Sequence, residues 1–237
     1  MPSWFRRRRA RSATAARVAR PAAVQVARVE LGDLRPDPDA YLGRCAYLVL
    51  ALFENVGRAI AAAPTTEAKT ALSGVASPLI AAHEGMVALL RERGRTPSEA
   101  MEPFSRDIDE FHRRTAGQDW YEILTTCYIT QGFLVDFFDA LAGGLPEELR
   151  ERVTDLLEVD DGSEVLVREL REALDGSPRL ASRLAMWGRR LVGDTMLVAR
   201  AALAIDGAPT GEERIEPVFT GLMAEHTRRM DALGLTA

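Results

Sequence analysis

Apolar positions fall along this chain in long runs with a helical period, broken at intervals by proline, glycine and good capping residues. The first run is apolar nearly all round from Tyr41 to Ile60. That predicts a helix central to a bundle, starting near Asp39 as N-cap and stopping before Pro64. A second helix is predicted from Thr66 to Gly94, interrupted by Pro78, where a mid-helix proline removes one backbone bond. Thr96-Pro97-Ser98-Glu99 combines a capping box with proline at the first helical position, and opens a short helix that Pro103 bends before a second piece, Phe104–Arg114. Further helices are predicted from Asp119 to Gly143-Gly144, and from Pro146 with a break at Asp160-Asp161-Gly162. Two more run from Ser177-Pro178 to about Asp206, and over about Gly211–Leu233. No segment alternates with a period of two, so no sheet is expected. Short connections between long helices imply antiparallel neighbours, hence an all-α bundle with the last two helices packed outside it.

Charge divides the chain. Residues 1–28 hold eight arginines and no acid; with −5 for the whole chain, +8 here leaves −13 for residues 29–237. Residues 1–36 lack steady periodicity and end in Arg35-Pro36-Asp37-Pro38. They are expected to form a basic, disordered arm ahead of a helical domain spanning residues 37–237. Three readings of the arm stand: a solvated tail, weak contact with nucleic acid, and weak contact with an anionic membrane through Arg6, Arg7, Arg8 and Arg9 beside Trp4 and Phe5. Cys45 and Cys127 lie far apart inside apolar runs, as buried free thiols would. No charge-free stretch of 18–20 apolar residues and no apolar leader core is seen, which points to a cytoplasmic location. A homodimer is compatible with the pattern.

Several stretches carry a family likeness together. They are Ala46-Tyr47 through Phe53-Glu54, Met101-Glu102-Pro103-Phe104, Phe111-His112-Arg113-Arg114-Thr115, and Asp119-Trp120-Tyr121-Glu122. Further along come Asp136-Phe137-Phe138, Trp187-Gly188-Arg189-Arg190-Leu191-Val192-Gly193, and Glu225-His226-Thr227-Arg228-Arg229-Met230. Over about residues 40–237 the chain resembles an actinobacterial family of ferritin-like proteins related to the tRNA isopentenyl-adenosine hydroxylases. The resemblance implies a four-helix bundle and a di-iron site built from a carboxylate, a Glu-x-x-His, a carboxylate and a second Glu-x-x-His.

Carried over by that resemblance, the ligand positions fall on Val49, on Ile80 and His83, on Gln131, and on Asp160 and Ser163. Only His83 and Asp160 keep ligand chemistry of the expected kind. Valine and isoleucine have no lone pair, Gln131 has no charge, and the charge of two irons in a core needs carboxylates to neutralise it. A normal di-iron centre is therefore not expected, and no cofactor is; iron is the alternative.

Glu54, Asp136 and Glu84 are the acids nearest in sequence to these positions, and they point elsewhere on their helices. They read as rim or salt-bridged acids. His112, at a helix end, and His226 read as structural, and Trp187 as packed inward with Arg189 and Arg190 outward. Gly74, Gly132 and Gly162 are expected to leave room for an apolar ligand. No phosphate loop, triad spacing or zinc cysteine pair is present. The leading expectation is a ferritin-like bundle that has lost its centre and serves as a binding or scaffold module. The alternative is a metal-dependent hydroxylase with a rearranged site, acting on tRNA or a small molecule.

Overall fold

The structure, a computed structural model, describes residues 34–158, 162–205 and 212–236. Eight helices and no strand are found among them: α1 (Pro38–Ala62), α2 (Thr66–Glu92), α3 (Pro97–Arg114), α4 (Trp120–Ala142), α5 (Glu147–Leu157), α6 (Ser163–Leu174), α7 (Pro178–Ile205) and α8 (Glu212–Ala232). The all-α bundle expected from the pattern is what forms. Of the basic arm, residues 1–33 lie outside the described residues. Leu34 packs against the core and Pro36 is buried.

Helix starts follow local chemistry. Asp37, rather than Asp39, caps α1 by accepting a hydrogen bond from the Ala40 amide at 2.8 Å. Pro38 then occupies the first turn, where its missing N–H costs nothing. Asp39 is free for another task and pairs with Arg93 and Arg95 beyond the end of α2. Asp119 caps α4 through the Glu122 amide at 3.1 Å. Thr96 starts α3 without a side-chain capping bond, and Pro78 and Pro103 both lie inside continuous helices. Gly94 takes the left-handed conformation (φ 73°) that closes α2.

Cross-helix contacts fix the registers. α1 and α2 run antiparallel, with Asp39 facing Arg93, Ala46 facing His83, and Ala61 facing Lys69. α1 and α4 are antiparallel as well, held by Tyr41 Oη donating to the Phe138 carbonyl at 2.7 Å and Trp120 Nε1 to the Ala59 carbonyl at 3.1 Å. α3 lies along α1, where Gly43 lets the helices touch: a Cβ there would stand 2.1 Å from the Ala100 carbonyl oxygen.

α4 is the pivot of the domain. Its residues from Glu122 to Leu134 are all buried, so it needs partners on every side. α1, α5 and α6 cover part of it, and α7 and α8 cover the rest. The last two helices are therefore not an outer shell. Leu184, Leu191 and Ala199 of α7 and Phe219, Leu222, Met230 and Leu233 of α8 belong to the same core. α1 and α2 are long and apolar enough to cross a membrane by length and composition, yet about half of each apolar window is buried within the bundle.

Candidate functional site

The registers bring three of the ligand positions implied by the resemblance to one level of the bundle. Going along α1 from the Asp39 end, Val49 comes level with the Ile80–His83 turn of α2 and with Gln131 of α4. On the far side, α5 and α6 descend α2 through Arg152 facing Glu92, Leu156 facing Gly85, and Gly162 facing Val75. That puts Ser163 beside the Val75 turn, more than one helical turn away from the Ile80–His83 level. Asp160 lies outside the described residues.

Level is not the same as orientation. Val49 and Gln131 are buried, each 2% exposed. Ile80, His83 and Ser163 are half-buried. The apolar stripe of α2 runs through Leu72, Val75, Leu79, Ala82, Met86 and Leu90. That 3–4 spacing turns Leu79 and Ala82 inward, where the resemblance had implied Ile80 and His83. His83 instead donates from Nδ1 to the Ala46 carbonyl at 2.9 Å; a carbonyl only accepts, so Nδ1 carries the proton. The two helices are thereby tied, and one ring nitrogen of His83 is committed to backbone.

This layer contains Val49, Leu79, Ala82 and Gln131, a donor set of one neutral amide. It does not fit two irons, which need several carboxylates to balance their charge. Among the described residues no group of three or more His, Cys, Asp or Glu side chains could hold a metal ion. Glu54 and Glu84 are exposed, and Asp136 pairs with Arg229, as expected of rim and salt-bridged acids. Cys45 and Cys127 are free and buried, and burial pushes each thiol up to about 12. Neither is a thiolate at neutral pH.

The expected pocket does not open. Arg229 fills the space beside Gly132, where a Cβ would lie 2.2 Å from its Nε. Val75 fills the space at Gly162, whose positive φ of 65° explains its glycine, and Gly74 is exposed. A recess of about 530 Å³ lies at the surface instead, between Arg171, Leu174, Ala181, Leu233 and Leu235.

Polar chemistry gathers on the other side of α4. Arg229, 17% exposed, pairs with Asp136 at 2.5 Å. Trp187 Nε1 donates to Thr126 Oγ1 at 3.0 Å, and Thr126 Oγ1 donates to the Thr115 carbonyl at 2.9 Å. As expected, Trp187 turns inward while Arg189 and Arg190 face out. His226 is 1% exposed, and among the described residues neither ring nitrogen has a hydrogen-bond partner. Burial, reinforced by the Arg229 charge, pushes its pKa down to about 4. The sequence signal for this burial was present: Leu222, His226, Arg229-Met230 and Leu233 share one helical face. His112 ends α3 half-buried, its pKa lowered by burial and by Arg58.

A search of curated proteins finds no match. The family model for the ferritin-like domain of actinomycetes matches residues 39–206, more than half of the chain. That span carries α1 to α7, the helices that build the bundle around α4, and the protein belongs to this family of actinomycete ferritin-like domains.

Proposed function

We propose that this protein is a metal-free member of the ferritin-like fold that works as a binding or scaffold module. The observation that carries this reading is the layer of Val49, Leu79, Ala82 and Gln131, at the level where the fold would present iron ligands. Apolar side chains there exchange a polar, charge-bearing interior for packing, and replacing buried ionic groups by well-packed apolar ones is neutral or stabilising. A bundle freed from holding metal keeps its rigid helices and surfaces, which are what a scaffold needs. The basic residues Arg6–Arg9 add a segment suited to weak, salt-sensitive contact with polyanions or anionic membrane.

The test is metal content. Protein produced with iron supplied, purified without chelator and measured by elemental analysis, is expected to hold far less than two irons per chain. Stoichiometric iron or manganese would overturn the reading. It would favour the alternative, a rearranged hydroxylase of the kind related to tRNA isopentenyl-adenosine hydroxylases, acting on tRNA or a small molecule.

A further inference from the structure

α7 carries five arginines, Arg179, Arg183, Arg189, Arg190 and Arg200, against one acid, Asp194. The body of the protein is acidic, −13 over residues 29–237. At about 100° per residue, all five arginines fall within about 60° of the line through Met186. Leu197, eleven residues on, falls about 20° from that line and about 16 Å along the axis. Met186 and Leu197, 67% and 56% exposed, are the large hydrophobic side chains exposed among the described residues. Both therefore stand in the middle of the same basic row.

Few acids touch this row. Arg183 meets Asp119 and Glu122 of α4, and Arg190 lies 3.9 Å from Asp194. Arg189 bonds the Thr236 carbonyl and Arg200 stacks over Phe219, neither of which neutralises charge. Arg190 is also 5.2 Å from the ring of Trp187, which holds it along the helix. The result is a straight face about 32 Å long from Arg179 to Arg200, cationic along its length, with two apolar side chains set into it.

From this geometry we propose that the outer face of α7 docks onto the headgroup layer of an anionic phospholipid membrane. Arginines meet lipid phosphates while Met186 and Leu197 enter the interfacial zone. A second copy of the chain is disfavoured by charge, since a twofold contact through α7 sets arginine against arginine. Nucleic acid would satisfy the arginines, but its phosphate backbone gives two central aliphatic side chains nothing to bury against. The inference does not depend on what the core holds, and its readout involves no metal.

The experiment is flotation of the full chain with vesicles of phosphatidylcholine alone and with about a third phosphatidylglycerol, at low and physiological salt. To isolate α7 from the N-terminal arginines, every protein also carries serine in place of all eight arginines of residues 1–28. Binding to the anionic vesicles only, falling with salt, is expected. Arg179→Glu with Arg190→Glu should weaken it at least about tenfold, and Met186→Ser with Leu197→Ser should weaken it severalfold with circular dichroism unchanged. No binding to anionic vesicles at low salt overturns the proposal. So does a Met186→Ser, Leu197→Ser variant that binds them like the parent, or tighter binding to tRNA that this pair leaves untouched, which would make the face a nucleic-acid surface.

Discussion

The two sides of α4 face different interiors. Toward α1 it shares an apolar core in which Val49 is buried, and its own contribution at that level is the buried Gln131. Toward α7 and α8 it meets Trp187, His226 and Arg229, with Thr126, Gly132 and Asp136 of its own. The side where the resemblance implies iron ligands is packed hydrocarbon around Val49. The side added by the C-terminal helices holds a part-buried ion pair, a hydroxyl relay and the buried imidazole of His226. The interior is thus not uniformly apolar. Polarity sits where helix-to-helix specificity must be set, around the helices that lie beyond a four-helix plan.

The strongest way to break this comparison is to return a charge to the apolar side. Val49→Glu should cost about 3–5 kcal/mol in urea unfolding at neutral pH, because it buries a carboxylate in the apolar core that holds Val49. A variant that keeps its stability, or regains it when iron is added, would mean the layer still behaves as a metal site.

The next largest effect is on the polar side and depends on pH. His226 has its pKa lowered to about 4, below the unfolded value of about 6.5. Above 6.5 both states are neutral there and stability is intact. As pH falls below 6.5 the unfolded chain takes up the proton first, so stability falls, by up to about 3 kcal/mol near pH 4. His226→Leu should flatten most of this slope, measured by urea unfolding from pH 7 to 4.5, and be neutral or stabilising at pH 7. His112, lowered in the same direction, leaves a residual slope. An unchanged slope in His226→Leu would show that this imidazole is not the group responsible.

Asp136→Ala sharpens the comparison at a smaller scale. It strands Arg229 at 17% exposure and should cost about 1–2 kcal/mol, less than a fully buried pair because the carboxylate is part-exposed. Thermal unfolding of the single and double variants would isolate the coupling. Smallest of all, Met186→Ser with Leu197→Ser should change stability by no more than about 0.5 kcal/mol, since neither side chain is packed.

Much of the fold was legible in the sequence because helix ends carry their own chemistry. Asp119, Pro97, Pro178 and the break before Gly162 mark real boundaries within a residue or two. Asp37 and Asp39 were confusable, because either can cap; which one does was decided by Arg93 and Arg95 across the hairpin, and no local pattern shows them. The site was less legible for the same reason. The resemblance supplied Ile80 and His83, and the stripe from Leu72 to Leu90 turns Leu79 and Ala82 inward one residue earlier. A glycine in a sequence reads as space, but Arg229 reaches Gly132 from a helix nearly a hundred residues away. α7 was expected to pack outside the bundle, and the face by which it does so, through Leu184, Leu191 and Ala199, continues the core.

Arg44 has a consequence for how the protein is made. Its guanidinium, 6% exposed and 4.6 Å over the Phe104 ring, donates to the carbonyl of Ala202 at 2.6 Å. The acceptor is 158 residues downstream. At cellular elongation rates of about 5–20 residues per second, roughly 8–30 s pass between synthesis of the two partners. Throughout that interval the Ala202 carbonyl, one of the groups that hold Arg44, does not yet exist. The first helices can associate on the ribosome, but the final arrangement of α1 waits until the last turn of α7 has emerged from the exit tunnel.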